Sequence, residues 1–225
     1  MMLQLNQLSV ELAGVQVLRQ ISAGMSAGST VAVVGRNGAG KTTLLRSIMG
    51  LLPLQSGQVL LDQQDLTLQA PHTRTRLGIG YAPEERLIFP TLSVAENLNL
   101  PCQVLGLSNQ DIQDRQTLVM SVVPQLKDML SRSGAALSGG QGKMVALGRA
   151  LMVGTRLVLL DEPLQGLAPV LAMQYVEAIG RLRQLRPDLC VVITESNSSL
   201  LSDMPDQTWW LERGALTPSH TPHSH

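Results

Sequence analysis

Residues 35–43 read "GRNGAGKTT", that is Gly35, Arg36, Asn37, Gly38, Ala39, Gly40, Lys41, Thr42 and Thr43, and fit the pattern G-x-x-x-x-G-K-[ST]. Glycines let a backbone wrap so closely that successive N–H groups point inward, and a helix starting from such a loop adds the positive end of its dipole. The chemistry that suits this stretch is the holding of phosphates. Lys41 is expected to reach the β- and γ-phosphates of a nucleotide, and the Thr42 hydroxyl to complete a magnesium site. A second stretch, "LVLLDEP", places Asp161 at the end of an apolar run with Glu162 directly behind it. From there Asp161 can hold Mg2+ through its water shell, and Glu162 can orient or deprotonate an attacking water. A chance glycine-rich turn and a strand ending in two solvated acids are the plainer alternatives for each stretch alone. Both in one chain, with Pro163 behind the acids, point to hydrolysis of a nucleoside triphosphate.

The third stretch is "LSGGQ", Leu137 to Gln141. Ser138 is placed to cap the helix that continues as "GKMVALGRALM", and Gly139, Gly140 and Gln141 form its first turn with backbone N–H groups exposed. This is a second anion-binding helix end. One γ-phosphate needs only one cradle, so the second is either an ordinary capped helix start or serves a nucleotide held by another subunit.

The elements that must position these residues are legible in the pattern. "STVAVVG" is a continuous apolar run suited to a strand covered on both faces, and a helix follows from Lys41 to about Leu51, with Leu44, Leu45, Ile48 and Met49 at helical spacing. Short alternating runs before it predict antiparallel strands, and "SGQVLLD" predicts another strand. Two helices are expected between about residues 95 and 130, one capped by Ser93 with Glu96 three residues on, the other by Ser108. "TRLVLLDEP" and "LCVVITES" read as buried strands, "APVLAMQYVEAIGRLRQL" as a helix with Pro169 in its first turn, Ser198 to Leu201 as a short helix, and "QTWWLERG" as a last strand. The stretch from Thr217, "TPSHTPHSH", lacks apolar periodicity and is expected to be a disordered tail.

Composition narrows the function further. Lys and Arg number 17 against 17 Asp and Glu, so there is no basic footprint of the kind that nucleic-acid binding needs. Cys102 and Cys190 stand far apart outside any metal-binding spacing, and are expected as buried thiols. No apolar run approaches the roughly 20 residues that span a bilayer, and the first residues lack the pattern of a secretory signal. The chain is therefore expected to be soluble and to meet a membrane only through a partner. Aromatic residues are 2% of the sequence, which leaves few rings to stack on a base.

"GRNGAGKTT", "LSGGQ" and "LVLLDEP", with these separations, closely resemble the ATP-binding subunit of ABC transporters over about residues 1–215. The resemblance implies an α/β phosphate-loop ATPase over residues 1–216, with a mostly parallel core sheet, an antiparallel N-terminal β portion and a helical subdomain at about 85–150. It implies ATP and Mg2+, and a head-to-tail pair with a second cassette, identical or a paralogue. Each ATP then lies between the phosphate loop of one chain and the "LSGGQ" of the other. "YAPEERLIFPTLSVAENL" and "DEPLQGLAP" are most similar to the importers of branched-chain amino acids, urea and short amides. That branch implies transmembrane permease subunits on the inner face of the cell membrane and an extracytoplasmic solute-binding protein. The surface from Glu84 to Asn97 would meet the permease, with Phe89 and Pro90 as contacts or as buried packing.

Four positions depart from the family pattern. The ring that stacks on adenine is missing near Leu12 or Ala13; Glu84 replaces a glutamine that touches Mg2+ and water; Ala168 replaces an aspartate; and Ser196 stands where a histidine, or glutamine in the amino-acid branch, contacts the γ-phosphate. Either the chain is an active importer ATPase, or its own site is slow and its "LSGGQ" serves a competent partner. An ABC ATPase acting without a permease, on DNA or ribosomes, is a third class that the neutral charge disfavours.

Overall fold

The computed structural model describes residues 1–85, 87–201 and 204–217. Two antiparallel strands open the chain, β1 (Leu3–Leu12) and β2 (Val15–Met25), joined at a turn where Ala13 and Gly14 both take positive φ. Then come β3 (Thr30–Val34), α1 (Lys41–Ile48), β4 (Ser56–Leu61), β5 (Gln64–Asp65), α2 (Pro71–Arg76) and β6 (Ile79–Ala82). Helices α3 (Val94–Val104), α4 (Asn109–Val122) and α5 (Gly139–Val153) lead to β7 (Leu157–Asp161), α6 (Pro169–Leu185), β8 (Cys190–Glu195), β9 (Gln207–Glu212) and β10 (Ala215–Thr217). The central sheet runs β10-β9-β3-β8-β7-β6, parallel throughout except for the β9–β10 hairpin. The smaller sheet, β2-β1-β4-β5, is antiparallel.

Burial on both faces explains why β3, β7 and β8 are apolar along most of their length, with Thr30, Asp161, Thr194 and Glu195 at their ends. In β7, Leu157 and Leu159 point into the core shared with α1 and the antiparallel sheet, whereas Val158 and Leu160 point into the core shared with α3 to α6. Val31 and Val33 of β3 divide from Ala32 and Val34 in the same way. Each fully buried Leu or Val contributes about 1.5–3 kcal/mol, so the strands that end at the phosphate loop and at Asp161 are firmly anchored in the two cores.

The expected helix caps form. Ser93 and Glu96 make a reciprocal capping box at α3, Ser108 accepts the Asp111 N–H at α4, and Pro169 occupies the first turn of α6. Helix α1 stops earlier than expected, at Ile48, because Gly50 turns the chain with φ +77°. Residues 198–200 form one 3-10 turn. Strand β6 and helix α2 escape the sequence reading, and α5 runs to Val153 and packs against β6. Thr217 pairs with Trp210, so β10 includes the first residue of the expected tail; the rest of that tail lies outside the described residues.

Candidate functional site

Strand β3 ends at Val34 and α1 begins at Lys41, so residues 35–40 must turn between them without a side chain blocking the loop. Gly40 has φ +108°, and a Cβ there would lie 2.8 Å from Leu18 Cδ2. Gly38, with φ +80°, faces open space, with nothing within 4 Å of where a Cβ would stand. The loop is thus closed behind and open in front, as a phosphate cradle requires. Lys41 is 3% exposed; its Nζ donates to the Gly35 carbonyl at 2.6 Å and the Arg36 carbonyl at 3.1 Å. The same ammonium pairs with Glu162 Oε1 at 2.9 Å and lies 3.3 Å from Ser196 Oγ.

Asp161, 1% exposed, collects three hydroxyls: Thr42 at 3.1 Å and Thr194 at 2.8 Å both donate to Oδ1, and Tyr81 donates to Oδ2 at 3.2 Å. Burial pushes its carboxyl above the usual range, and these hydrogen bonds oppose that rise. Glu162 stands at φ +43°, a conformation that costs a non-glycine residue about 1–2 kcal/mol and must be held by its surroundings. Its N–H donates to Thr194 Oγ1 at 2.9 Å and its carbonyl accepts from Lys143 Nζ at 2.8 Å. Ser196, exposed beyond the end of β8, has its Oγ 2.7 Å from Asn37 Oδ1 and 3.0 and 3.1 Å from the two Glu162 oxygens. Its single proton serves one of these at a time. Beside it, Glu195 is 1% exposed, and burial holds its carboxyl up to about 7 even though Oε1 accepts the Leu164 N–H at 2.8 Å.

The structure therefore gathers Asn37, Lys41, Thr42, Asp161, Glu162 and Ser196 into one bonded cluster. Glu84 does not join it: the side chain is exposed, and no hydrogen bond or ion pair links it to Thr42 or Asp161. Tyr81, three residues earlier on β6, supplies the contact instead, and nothing in its local sequence marks it. Thr194, Lys143 and Glu195 likewise carry no local sequence signal, being polar residues that only the tertiary fold brings against the site. Ser138 to Gln141 cap α5 reciprocally, Gln141 N–H to Ser138 Oγ at 3.3 Å and Ser138 N–H to Gln141 Oε1 at 3.0 Å. No hydrogen bond or ion pair among the described residues ties them to residues 35–43. Ala168 is the N-cap of α6 without a capping side chain, and no ring stands at the Leu12–Ala13 turn.

Two open spaces meet over the cluster, both lined by Asn37 and Ser196. One, of about 770 Å3, is bordered by Glu162 and residues 164–167. The other, of about 570 Å3, lies along residues 34–39 and is walled by Trp210, which is 38% exposed, while its neighbour Trp209 packs into the core behind β3. No cluster of three or more His, Cys, Asp or Glu fit for a metal occurs among the described residues. Thr42 and Asp161 offer one hydroxyl and one carboxylate. That donor set fits a hard cation taking its other oxygens from phosphates and water.

The family model described as "ABC transporter" matches residues 18–165. The chain belongs to the ABC transporter family. As an ABC cassette it is 34% identical over 218 residues to a probable branched-chain amino acid transport ATP-binding protein, LivF, of Archaeoglobus fulgidus, covering 96% of this chain and 90% of the relative. It is 33% identical over 220 residues to the high-affinity branched-chain amino acid transport ATP-binding protein BraG of Pseudomonas aeruginosa, covering 98% and 93%. The lipopolysaccharide export system ATP-binding protein LptB of Escherichia coli K12 is equally similar, 34% over 212 residues, covering 93% and 86%. Among solved structures, the ADP conformation of the ABC cassette MJ1267 superposes with a TM-score of 0.83 at 23% identity, covering 96% of this chain and 89% of that one. The dimeric cassette MJ0796 superposes with a TM-score of 0.84 at 20% identity, covering 96% and 97%. The expected fold, a phosphate-loop cassette with a parallel core sheet and an antiparallel N-terminal sheet, is the fold found.

Proposed function

We propose that this cassette binds and hydrolyses ATP to drive solute import through permease subunits, with a branched-chain amino acid, urea or short amide as cargo. The observation that carries the reading is the convergence of Lys41, Thr42, Asp161 and Glu162 on the mouth of one glycine-walled loop. ATP entering it exchanges the Lys41–Glu162 ion pair for a Lys41–phosphate pair, which frees the Glu162 carboxylate. Glu162 then accepts a proton from the water that attacks the γ-phosphorus, and the bond to the leaving ADP oxygen breaks. Magnesium, when bound, neutralises phosphate charge; Thr42 and, through water, Asp161 would hold it. Gly35 to Thr43 grip the phosphates from this chain, and Ser138 to Gln141 serve the nucleotide of a second cassette docked head to tail.

No helix of the described residues is long and apolar enough to cross a membrane. A groove of about 420 Å3 lined by Arg46, Leu51, Pro83, Leu87 and Arg149 suits a permease helix. Leu51, Leu87 and Phe89 are 48%, 63% and 44% exposed, and the Arg149 guanidinium sits 5.2 Å from the Phe89 ring centre. Tyr81 lines the same groove and hydrogen-bonds Asp161, a physical link from dock to site. "GLAP" at 166–169 and the similarity to LivF and BraG support the importer branch, with a solute-binding protein delivering cargo. The equal likeness to LptB keeps lipopolysaccharide export as the competing cargo class.

A second reading rests on Ser196, whose short hydroxyl bonds Glu162 itself and supplies less to developing phosphate charge than a longer donor. In it, this chain's own site turns over slowly within a heterodimer. Glu162→Gln in this chain alone, in the purified assembly, tests both. Loss of nearly all steady-state ATP hydrolysis, with MgATP now trapping a stable dimer, is the expected result; an unchanged rate transfers the reaction to the partner's site.

A further inference from the structure

Glu162 projects its carboxylate from a backbone in the left-handed region, φ +43°, which residues other than glycine occupy only when neighbours hold them there. The turn that follows is gripped from two sides. Lys143 of α5 donates to the Glu162 carbonyl at 2.8 Å and to the Gln165 carbonyl at 2.7 Å. Glu195, at the end of β8, accepts the Leu164 N–H on Oε1 at 2.8 Å. Thr194, next to it, takes the Glu162 N–H. We propose that Lys143 and Glu195 are positioning residues for hydrolysis: together they clamp the 162–165 turn and fix the direction in which Glu162 meets water.

The proposal rests on the reading of Glu162 as the water-activating group. Geometry favours it over plain structural support for two reasons. Lys143 brings a full charge to both of its contacts, which makes them about twice as strong as neutral hydrogen bonds, and the contacts of Lys143 and Glu195 all end on backbone at the strained peptide or within three residues of it. In addition, Lys143 lies five residues beyond Ser138 on the same helix. One rigid element thus joins the helix start that would serve the partner's nucleotide to the turn that would serve this chain's own.

The test uses the full chain with its partner subunits, reading steady-state ATP hydrolysis, binding of a fluorescent ATP analogue and thermal unfolding side by side. Lys143→Met keeps the stem and removes the donors; kcat is expected to fall about tenfold or more while KM for ATP stays within about twofold. Lys143→Arg restores most of the rate. Glu195→Ala falls about tenfold, whereas Glu195→Gln, which keeps an acceptor for Leu164, loses less than about threefold. An active wild type whose Lys143→Met and Glu195→Ala variants both keep kcat overturns the clamp. So does a Glu195→Gln variant as slow as Glu195→Ala, or an arginine at 143 that rescues nothing; the Gln and Ala pair decides if Lys143→Met fails to fold. A wild type that binds no nucleotide sinks the ATPase reading itself, a different failure.

Discussion

Ser196 stands at the end of β8 within hydrogen-bond reach of Glu162, Asn37 and Lys41. In the family pattern a longer side chain reaches the γ-phosphate from this strand end; here the hydroxyl is 3.0 Å from Glu162 Oε2 and 2.7 Å from Asn37 Oδ1, bonded to its own chain. Because Ser196 is exposed, a larger side chain has room to leave that cluster and face the open cavity. Ser196→His or Ser196→Gln is therefore expected to raise steady-state hydrolysis by about tenfold, less than the roughly 100-fold or more that one fully preorganised charge-stabilising donor contributes. A rate that stays level or falls in both variants shows that the serine costs nothing. Tyr81 and Thr194 illustrate why part of the cluster was not legible beforehand. Each is an ordinary strand residue by type, and only the register β6-β7-β8, with Asp161 opposite Thr194, turns its hydroxyl onto Asp161.

At the scale of elements, legibility tracked local chemistry. The Ser93 and Ser138 caps and Pro169 carry their instructions within four residues, the glycine loop before α1 within nine, and the helices start where the pattern puts them. Strand β6 did not announce itself: it is four residues long with Gly78 before it and Gly80 inside, so periodicity had nothing to work on. Its existence comes from pairing with β7, and Gly80 has a specific reason to be glycine. A Cβ there would strike the backbone carbonyl of Ala150 and come within 3.0 Å of Gly154 Cα, since α5 crosses the strand at close approach. Gly80→Ala is expected to destabilise the fold by about 1–3 kcal/mol, lowering Tm by roughly 3–10 °C for a chain of this size. Unchanged thermal unfolding of that variant contradicts the packing of α5 on β6.

At the scale of the whole molecule, the buried carboxyls set how stability depends on pH. The Glu195 carboxyl titrates near 7 in the folded chain against 4.5 ordinarily, because burial disfavours its charge and Glu162 adds like charge, only partly offset by the Leu164 N–H, Lys143 and Lys41. Tyr175 of α6 packs on the same side, and Glu177 lines the 770 Å3 space beside Glu162 and Ser196. The folded state thus holds a proton that the unfolded state releases between pH 4.5 and 7. Stability accordingly falls as pH rises through that window and levels off above it. Asp161, also raised, acts in the same direction. Asp65 and Asp188, held low by hydrogen bonds from Thr67 and Arg186, act in the opposite direction at more acid pH. Thermal unfolding of Glu195→Gln across pH 4.5 to 8 checks the assignment: the variant should lose most of the decline seen in the wild type.

Both tryptophans sit side by side on β9, the strand that pairs with β3 just before the phosphate loop, one ring facing the core and the other walling the cavity over Gly35 to Ala39. Since indole dominates near-ultraviolet emission, the intrinsic fluorescence of this chain originates within reach of that loop, and the molecule carries its own optical probe of what happens there.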